Sequence, residues 1–200
     1  MYKKLYTFLK KIFRSDQLFK YGFNLSPMYR RSVGRVKFVS RDLHIAKVEI
    51  PLNYKNVNYA GSMFGGSMFA ATDPIYMIQL IQILGDDYVV WDKSAFIDYK
   101  KPARSRVFVT FEFSEEEIVN IKSQVNENGR LDLVKYNNLV SAKGETFAKL
   151  EKTIFIATKQ FYNCLLYTSD AADDSLRVDL GGRRIIKKVT PDGLGLLQSS

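Results

Sequence analysis

Histidine, cysteine and tryptophan occur once each among the 200 residues, as His44, Cys164 and Trp91. A lone cysteine can form neither an internal disulfide nor a cysteine-based zinc site. A lone histidine leaves a histidine zinc site without ligands and a Ser-His pair without a dedicated base. His44 also opens a strand pattern among charged neighbours, which reads as a solvated surface position. Acid is scarce in the first 41 residues, which hold eleven Lys or Arg against one carboxylate, Asp16. A fully apolar run long enough to span a bilayer is missing too. Ser67 to Leu84 would reach roughly 27 Å as a helix, but it carries Asp73 and Pro74 mid-run, and both would need partners inside lipid.

What remains suits one globular domain, since 46% hydrophobic content over this length can bury a sizeable core. The basic front end points to an anionic contact: a membrane surface, a nucleic acid or a phosphate-bearing cofactor. Tyr2 to Arg14 reads as a basic amphipathic helix, with Leu5, Phe8, Leu9 and Ile12 on one face. It is too short and too charged to span a membrane and lacks a signal-peptide cleavage region. A peripheral membrane contact and a terminal helix docked on the domain both fit it. No nucleic-acid module is recognisable, so nucleic acid is not an expected partner.

The chain then alternates helices and short-turned strand pairs. Leu18 to Arg31 continues as a short helix up to Ser26-Pro27. Val33 to Ser40 and His44 to Leu52 form a hairpin pattern, followed by a loop and the apolar stretch Asn58 to Leu84. Apolar residues occur on every side of that stretch at helical spacing, which predicts one long helix buried all round. Tyr88 to Tyr99 and Arg106 to Phe113 are strands. Ser114-x-x-Glu117 is a capping-box pattern that opens a helix to about Glu127, closed by Asn128-Gly129. Leu131 to Val140 and Thr146 to Thr158 complete the strands. Short connections imply an antiparallel sheet, giving an α+β domain with the sheet curved around one long helix.

That arrangement is the hotdog architecture, and particular residues support it. Asn58, Phe64-Gly65-Gly66 and Asp73 resemble the signature of phenylacetyl-CoA-thioesterase-like hotdog enzymes, which carry Asn, His-Gly-Gly and Asp. The string NYAGSMFGGSMFAATDPIYM, with VWDK at Val90 to Lys93 and KPAR at Lys101 to Arg104, is similar to a branch of that superfamily known as a domain of unknown function. The resemblance covers about residues 20–158. One position departs from it: Phe64 stands where the thioesterases have histidine.

The end of the chain reads differently. Cys164 to Asp173 (CLLYTSDAAD) and Arg177 to Ile186 (RVDLGGRRII) resemble translations, in one frame, of the two ends of a transposase sequencing adapter. Residues 164–200 are therefore expected to be a disordered, adapter-derived tail outside the fold. Its five basic residues balance its five acids, so the net charge of +9 is unchanged without it. The expected organisation is a basic segment at 1–25, a hotdog domain at 26–163 and the tail.

The residues of the central stretch also carry a chemical reading. Amides of Gly65 and Gly66 at a helix start lack intrahelical acceptors and could stabilise a thioester oxyanion; a tight turn needing small residues is the other reading. Asp73 is the only acid between Glu49 and Asp86. In apolar surroundings desolvation would raise its pKa, as suits a catalytic carboxylate. A helix cap before Pro74 and a buried polar tie are the alternatives. Gly65 and Asp73 would lie roughly 12 Å apart along one helix, too far to act on one carbonyl. Two helices related by a twofold could bring them together, so the reading requires a homodimer with composite sites, and a dimer of dimers is compatible with it.

Lys100, Lys101 and Arg104 cluster at a strand-connecting turn and, with Lys93, could receive the phosphates of coenzyme A; solvated turn residues and an intrasheet ion pair involving Asp92 are the plainer readings. The resulting expectation is a cytoplasmic acyl-CoA or acyl-carrier-protein thioesterase. Asp73 would be base or nucleophile, the Gly65 and Gly66 amides the oxyanion hole, and Asn58 the orienting group. No cofactor beyond the substrate's coenzyme A and no metal is expected. A non-catalytic acyl-thioester binder is the alternative.

Overall fold

Period-two alternation puts Val107, Val109, Phe111 and Phe113 against the core, all buried. The same rule builds the other strands of the computed structural model, which describes residues 13–164. All but the last two residues of the expected basic helix at 2–14 lie outside the described residues, and so does the expected tail apart from Cys164. In chain order the elements are α1 (Ser15–Leu25), α2 (Pro27–Arg31), β1 (Arg35–Val39), β2 (Ile45–Ile50), α3 (Gly65–Thr72), α4 (Ile75–Leu84), β3 (Tyr88–Tyr99), β4 (Val107–Glu112), α5 (Glu115–Asn128), β5 (Arg130–Val140) and β6 (Thr146–Thr158). Pro27 starts α2 because the first helical position needs no amide donor. At the α5 N-terminus Ser114 Oγ accepts from the Glu117 amide at 3.0 Å, while the Glu117 carboxylate takes the Lys135 ammonium instead of reaching back. Gly129, at φ 77, ends α5 in the left-handed conformation that only glycine adopts without cost.

The strands make one antiparallel sheet in the order β1-β2-β4-β5-β6-β3. The longest ladder joins β3 to β6, from Tyr88↔Thr158 to Tyr99↔Ala148, with a bulge at Lys93 between Asp92 and Ser94. β4 and β5 meet through the pair Phe108↔Val140, and the Asn137 amide bridges them further along by donating to the Thr110 carbonyl at 2.5 Å. The two edges differ. Asn24 of α1 exchanges two hydrogen bonds with the Val36 backbone, both 2.9 Å, so a side chain covers part of the β1 edge. β3 is the other edge and has no strand beyond it among the described residues.

Two details of the central helix differ from expectation. It is divided at Asp73-Pro74, because proline offers no amide to the carbonyl four residues earlier. It is also not buried all round. Met68, Ala71, Ile75, Tyr76, Leu80 and Leu84 face the sheet and are buried, and Tyr76 meets the Phe111 ring edge-on at 4.9 Å. On the other side Phe69, Met77 and Ile78 keep partial exposure and Ile81 is 37% exposed. Six strands cover one face of the helix, and an apolar stripe faces outward on the single chain. His44 also departs from its solvated reading: its side chain is 16% exposed and lies 3.8 Å from Asp42.

Candidate functional site

The inward positions of β6 are Ala148, Leu150, Lys152, Ile154 and Ile156, all buried. One of the five is a lysine with no exposed surface. A buried ammonium is tolerated only when its protons are paired, and Lys152 Nζ has an acceptor for each of its three. It donates to the Asp73 backbone carbonyl, to Asp73 Oδ1 at 2.9 Å and to Asp92 Oδ2 at 2.9 Å. The lysine therefore pins the α3–α4 junction to the sheet and stands between two carboxylates. Removing a carboxylate would leave the Lys152 ammonium buried with an unpaired proton, which destabilises the fold.

The surroundings make the two carboxylates unlike. Asp73 keeps 46% of its side-chain exposure, and its Oδ2 has no hydrogen-bond partner among the described residues. The burial expected of Asp73 is thus partial. Of the three readings open at this residue, the helix cap is overturned, since no side chain caps α4. The polar tie is present, made by Oδ1 and the carbonyl, and it leaves Oδ2 outward. Asp92 is more enclosed, at 20% exposure, and its Oδ1 is buried without a partner among the described residues. Burial pushes the Asp92 carboxyl above its ordinary value against the pull of Lys152, and the Asp73 charge adds to the push. The intrasheet ion pair read for Asp92 is this one.

At the start of α3 the Gly65 and Gly66 amides make no hydrogen bond among the described residues, while the flanking Phe64 and Ser67 amides do. A side chain at either glycine would crowd an aromatic ring. A Cβ on Gly65 would stand 2.8 Å from the Tyr99 ring and 2.9 Å from its hydroxyl, and one on Gly66 would stand 2.3 Å from the Phe64 ring. Tyr99, at the end of β3, thereby brings a phenol to the helix start, its pKa raised by burial. Asn58 is committed to its own loop: Oδ1 accepts from the Ala60 and Ser62 amides, and Nδ2 donates to Ser62 Oγ. Lys93, bulged outward on β3, pairs with Asp132 at 2.6 Å, and Lys101 pairs with Glu145 at 2.5 Å. Lys100 pairs with Asp98, and Arg104 is exposed with no ion pair among the described residues.

The structure thus joins Asp73 to Asp92 through a residue the sequence reading missed, Lys152, and places Tyr99 beside Gly65. The signal for Lys152 was available as a single charge on the otherwise apolar inward face of β6. A cleft of about 450 Å³ lies elsewhere, along β4, β5 and the start of α5. It holds none of the sequence-predicted site residues. Among the described residues no group of three or more His, Cys, Asp or Glu is placed to hold a metal, and no helix is long and apolar enough to cross a membrane.

Comparison with solved structures agrees with the architecture. A Pseudomonas aeruginosa protein of unknown function described as a probable thioesterase superposes with a TM-score of 0.60 at 18% identity, covering 72% of this chain and 93% of that one. A Chlorobaculum tepidum protein of unknown function gives 0.58 at 16%, covering 72% and 94%. A mutant of a thioesterase enzyme from Staphylococcus aureus gives 0.50 at 13%, covering 66% and 99%. At these identities the likeness shows the fold, which is hotdog thioesterase-like. No curated protein matches the chain. Residues 15–156 match the model of one family, and the chain belongs to that family, described as Domain of unknown function (DUF4442).

Proposed function

We propose that the chain hydrolyses acyl thioesters of coenzyme A or of an acyl carrier protein at two composite sites of a homodimer. The carrying observation is Asp73: a carboxylate fixed by one oxygen, with Oδ2 outward on the apolar stripe of the central helix. It acts as general base toward water or as the nucleophile. The unpaired Gly65 and Gly66 amides supply the oxyanion hole, with Tyr99 beside them. Along one helix these groups are too far apart for one carbonyl, so each site takes its glycines from one protomer and its aspartate from the other.

The stripe of Phe69, Met77, Ile78 and Ile81 and the open β3 edge are what a second copy would cover. Asn58 shapes the loop that enters α3. Lys93, Lys101 and Arg104 would exchange their present partners or solvent for coenzyme A phosphates. A thioester substrate of this class puts the working compartment in the cytoplasm.

One observation favours the binder reading: the Phe64 ring lies against Gly66, where the thioesterases of this resemblance have histidine. The deciding experiment is a hydrolysis screen over acyl-CoA esters of graded chain length. At least one should be turned over by wild type and none by Asp73→Asn. Binding without turnover by wild type would replace the hydrolase with the binder.

A further inference from the structure

We infer that Lys152 and Asp92 are positioning residues for Asp73: Lys152 holds its carboxylate with Oδ2 outward, and Asp92 holds Lys152. The inference rests on Asp73 being the working carboxylate of the proposed hydrolase, and it adds two residues that touch no substrate. The geometry carries it. An ammonium has three protons, and Lys152 spends two of them on Asp73, one on the carbonyl and one on Oδ1. Such a fork fixes the position of the α3–α4 junction and the rotation of the side chain together. The third proton goes to Asp92 Oδ2. Without that acceptor the buried ammonium would have one proton unpaired and freedom to swing. The Asp73 amide still donates to the Phe69 carbonyl at 3.0 Å, but Pro74 removes the next helical hydrogen bond, and the Lys152 contact with the Asp73 carbonyl adds a tie at that junction.

The arrangement also separates the roles of the two carboxylates. Asp73 Oδ2 is open at the chain surface, whereas both Asp92 oxygens are turned inward, one on Lys152 and one with no partner among the described residues. Asp73, the more exposed of the two, is the one placed to meet a substrate. Asp92 acts through Lys152.

The test uses the full chain and three variants: Lys152→Gln, Asp92→Asn and, as a control, Lys37→Gln on the surface pair with Glu49. Protein labelled with ¹³C at aspartate carboxyls gives one resonance that disappears in Asp73→Asn and so belongs to Asp73. Lys152→Gln and Asp92→Asn should both move that resonance, and Lys37→Gln should not. An Asp73 resonance unmoved by either variant overturns the inference, whether or not the protein hydrolyses anything. On the substrate found in the acyl-CoA screen, Lys152→Gln should lower kcat about a hundredfold with KM little changed. Asp92→Asn should give a smaller fall of the same kind.

A rise in KM alone, or equal losses in the surface control, would also overturn it. If wild type has no activity while the resonances move as expected, the hydrolase reading fails and the positioning stands. Should Lys152→Gln not fold, Asp92→Asn decides, since it keeps both the shape of the side chain and the Lys152–Asp73 pair.

Discussion

Lys152 and Asp92 lie 2.9 Å apart on neighbouring strands, yet the second oxygen of Asp92 has no partner among the described residues. Lys152 holds one oxygen of that carboxylate, and the other is buried. The desolvation outweighs the attraction, and the carboxyl titrates above its ordinary value. Its folded-state pKa exceeds its unfolded one, so the native state binds the proton more tightly.

Asp92 should therefore cost stability as pH rises from the ordinary carboxylate range through its own raised value. Asp42 has the opposite sign. The Ser40 hydroxyl, then the His44 amide, hold it below its ordinary value, so its contribution is present above that value and lost on acidification. Urea midpoints measured at a series of pH values, wild type against Asp92→Asn, isolate the first effect. The difference between the two curves should change through the window above the ordinary carboxylate value. A difference constant across it would refute the assignment.

Gly34 and Gly66 should respond differently to alanine although both are crowded. A Cβ on Gly34 would meet the Ala71 methyl at 2.7 Å, with the Ser32 and Tyr29 hydroxyls at 3.1 Å. None of these can swing away, and Gly34→Ala should destabilise by about 1–3 kcal/mol in urea titration. At Gly66 the obstacle is the Phe64 ring, 59% exposed and free to rotate outward. Gly66→Ala should cost much less.

The outward stripe predicts an association state. Sedimentation should show a dimer, and Ile81→Asp, which places a charge on that stripe, should give folded monomers with an unchanged far-ultraviolet spectrum. A wild-type monomer at high concentration would remove the basis for composite sites.

Complementation tests the sharing itself. Asp73→Asn and Gly66→Pro should each be inactive, the first lacking its base and the second an amide donor. In a mixed dimer with composite sites, one site receives both defects and the other neither. Random pairing makes about half the dimers mixed, so co-refolding should recover about a quarter of wild-type activity. Heterodimers without activity would exclude a site shared between protomers.

Strands were legible because sheet periodicity is short and repeated. Tyr88 to Tyr99 and Thr146 to Thr158 have the bounds read from the sequence, and Ser114 caps as its spacing requires. The helix was read too generously. Apolar residues all round promise burial, but burial depends on how much sheet is available to cover them, and a single chain has enough for one side. Asp73 was visible as an isolated acid, while its partner lies 79 residues away on another element. That pairing is set by how the α3–α4 junction packs on β6, and local pattern does not encode it. Asn58 belonged to the motif, yet its hydrogen bonds are local, with Ala60 and Ser62, and shape the entrance to α3.

The unequal edges of the sheet govern how far association can go. A sheet with two free margins can recruit copies at both and grow without limit. Here Asn24 covers part of the β1 margin with its side-chain amide, whereas β3 has no strand beyond it among the described residues. Two β3 margins that met about a twofold would use each other up, and in such a pair further growth would have to start from the partly covered β1 margin. Asn24→Ala would uncover the Val36 backbone and leave the β1 margin open to pairing as well.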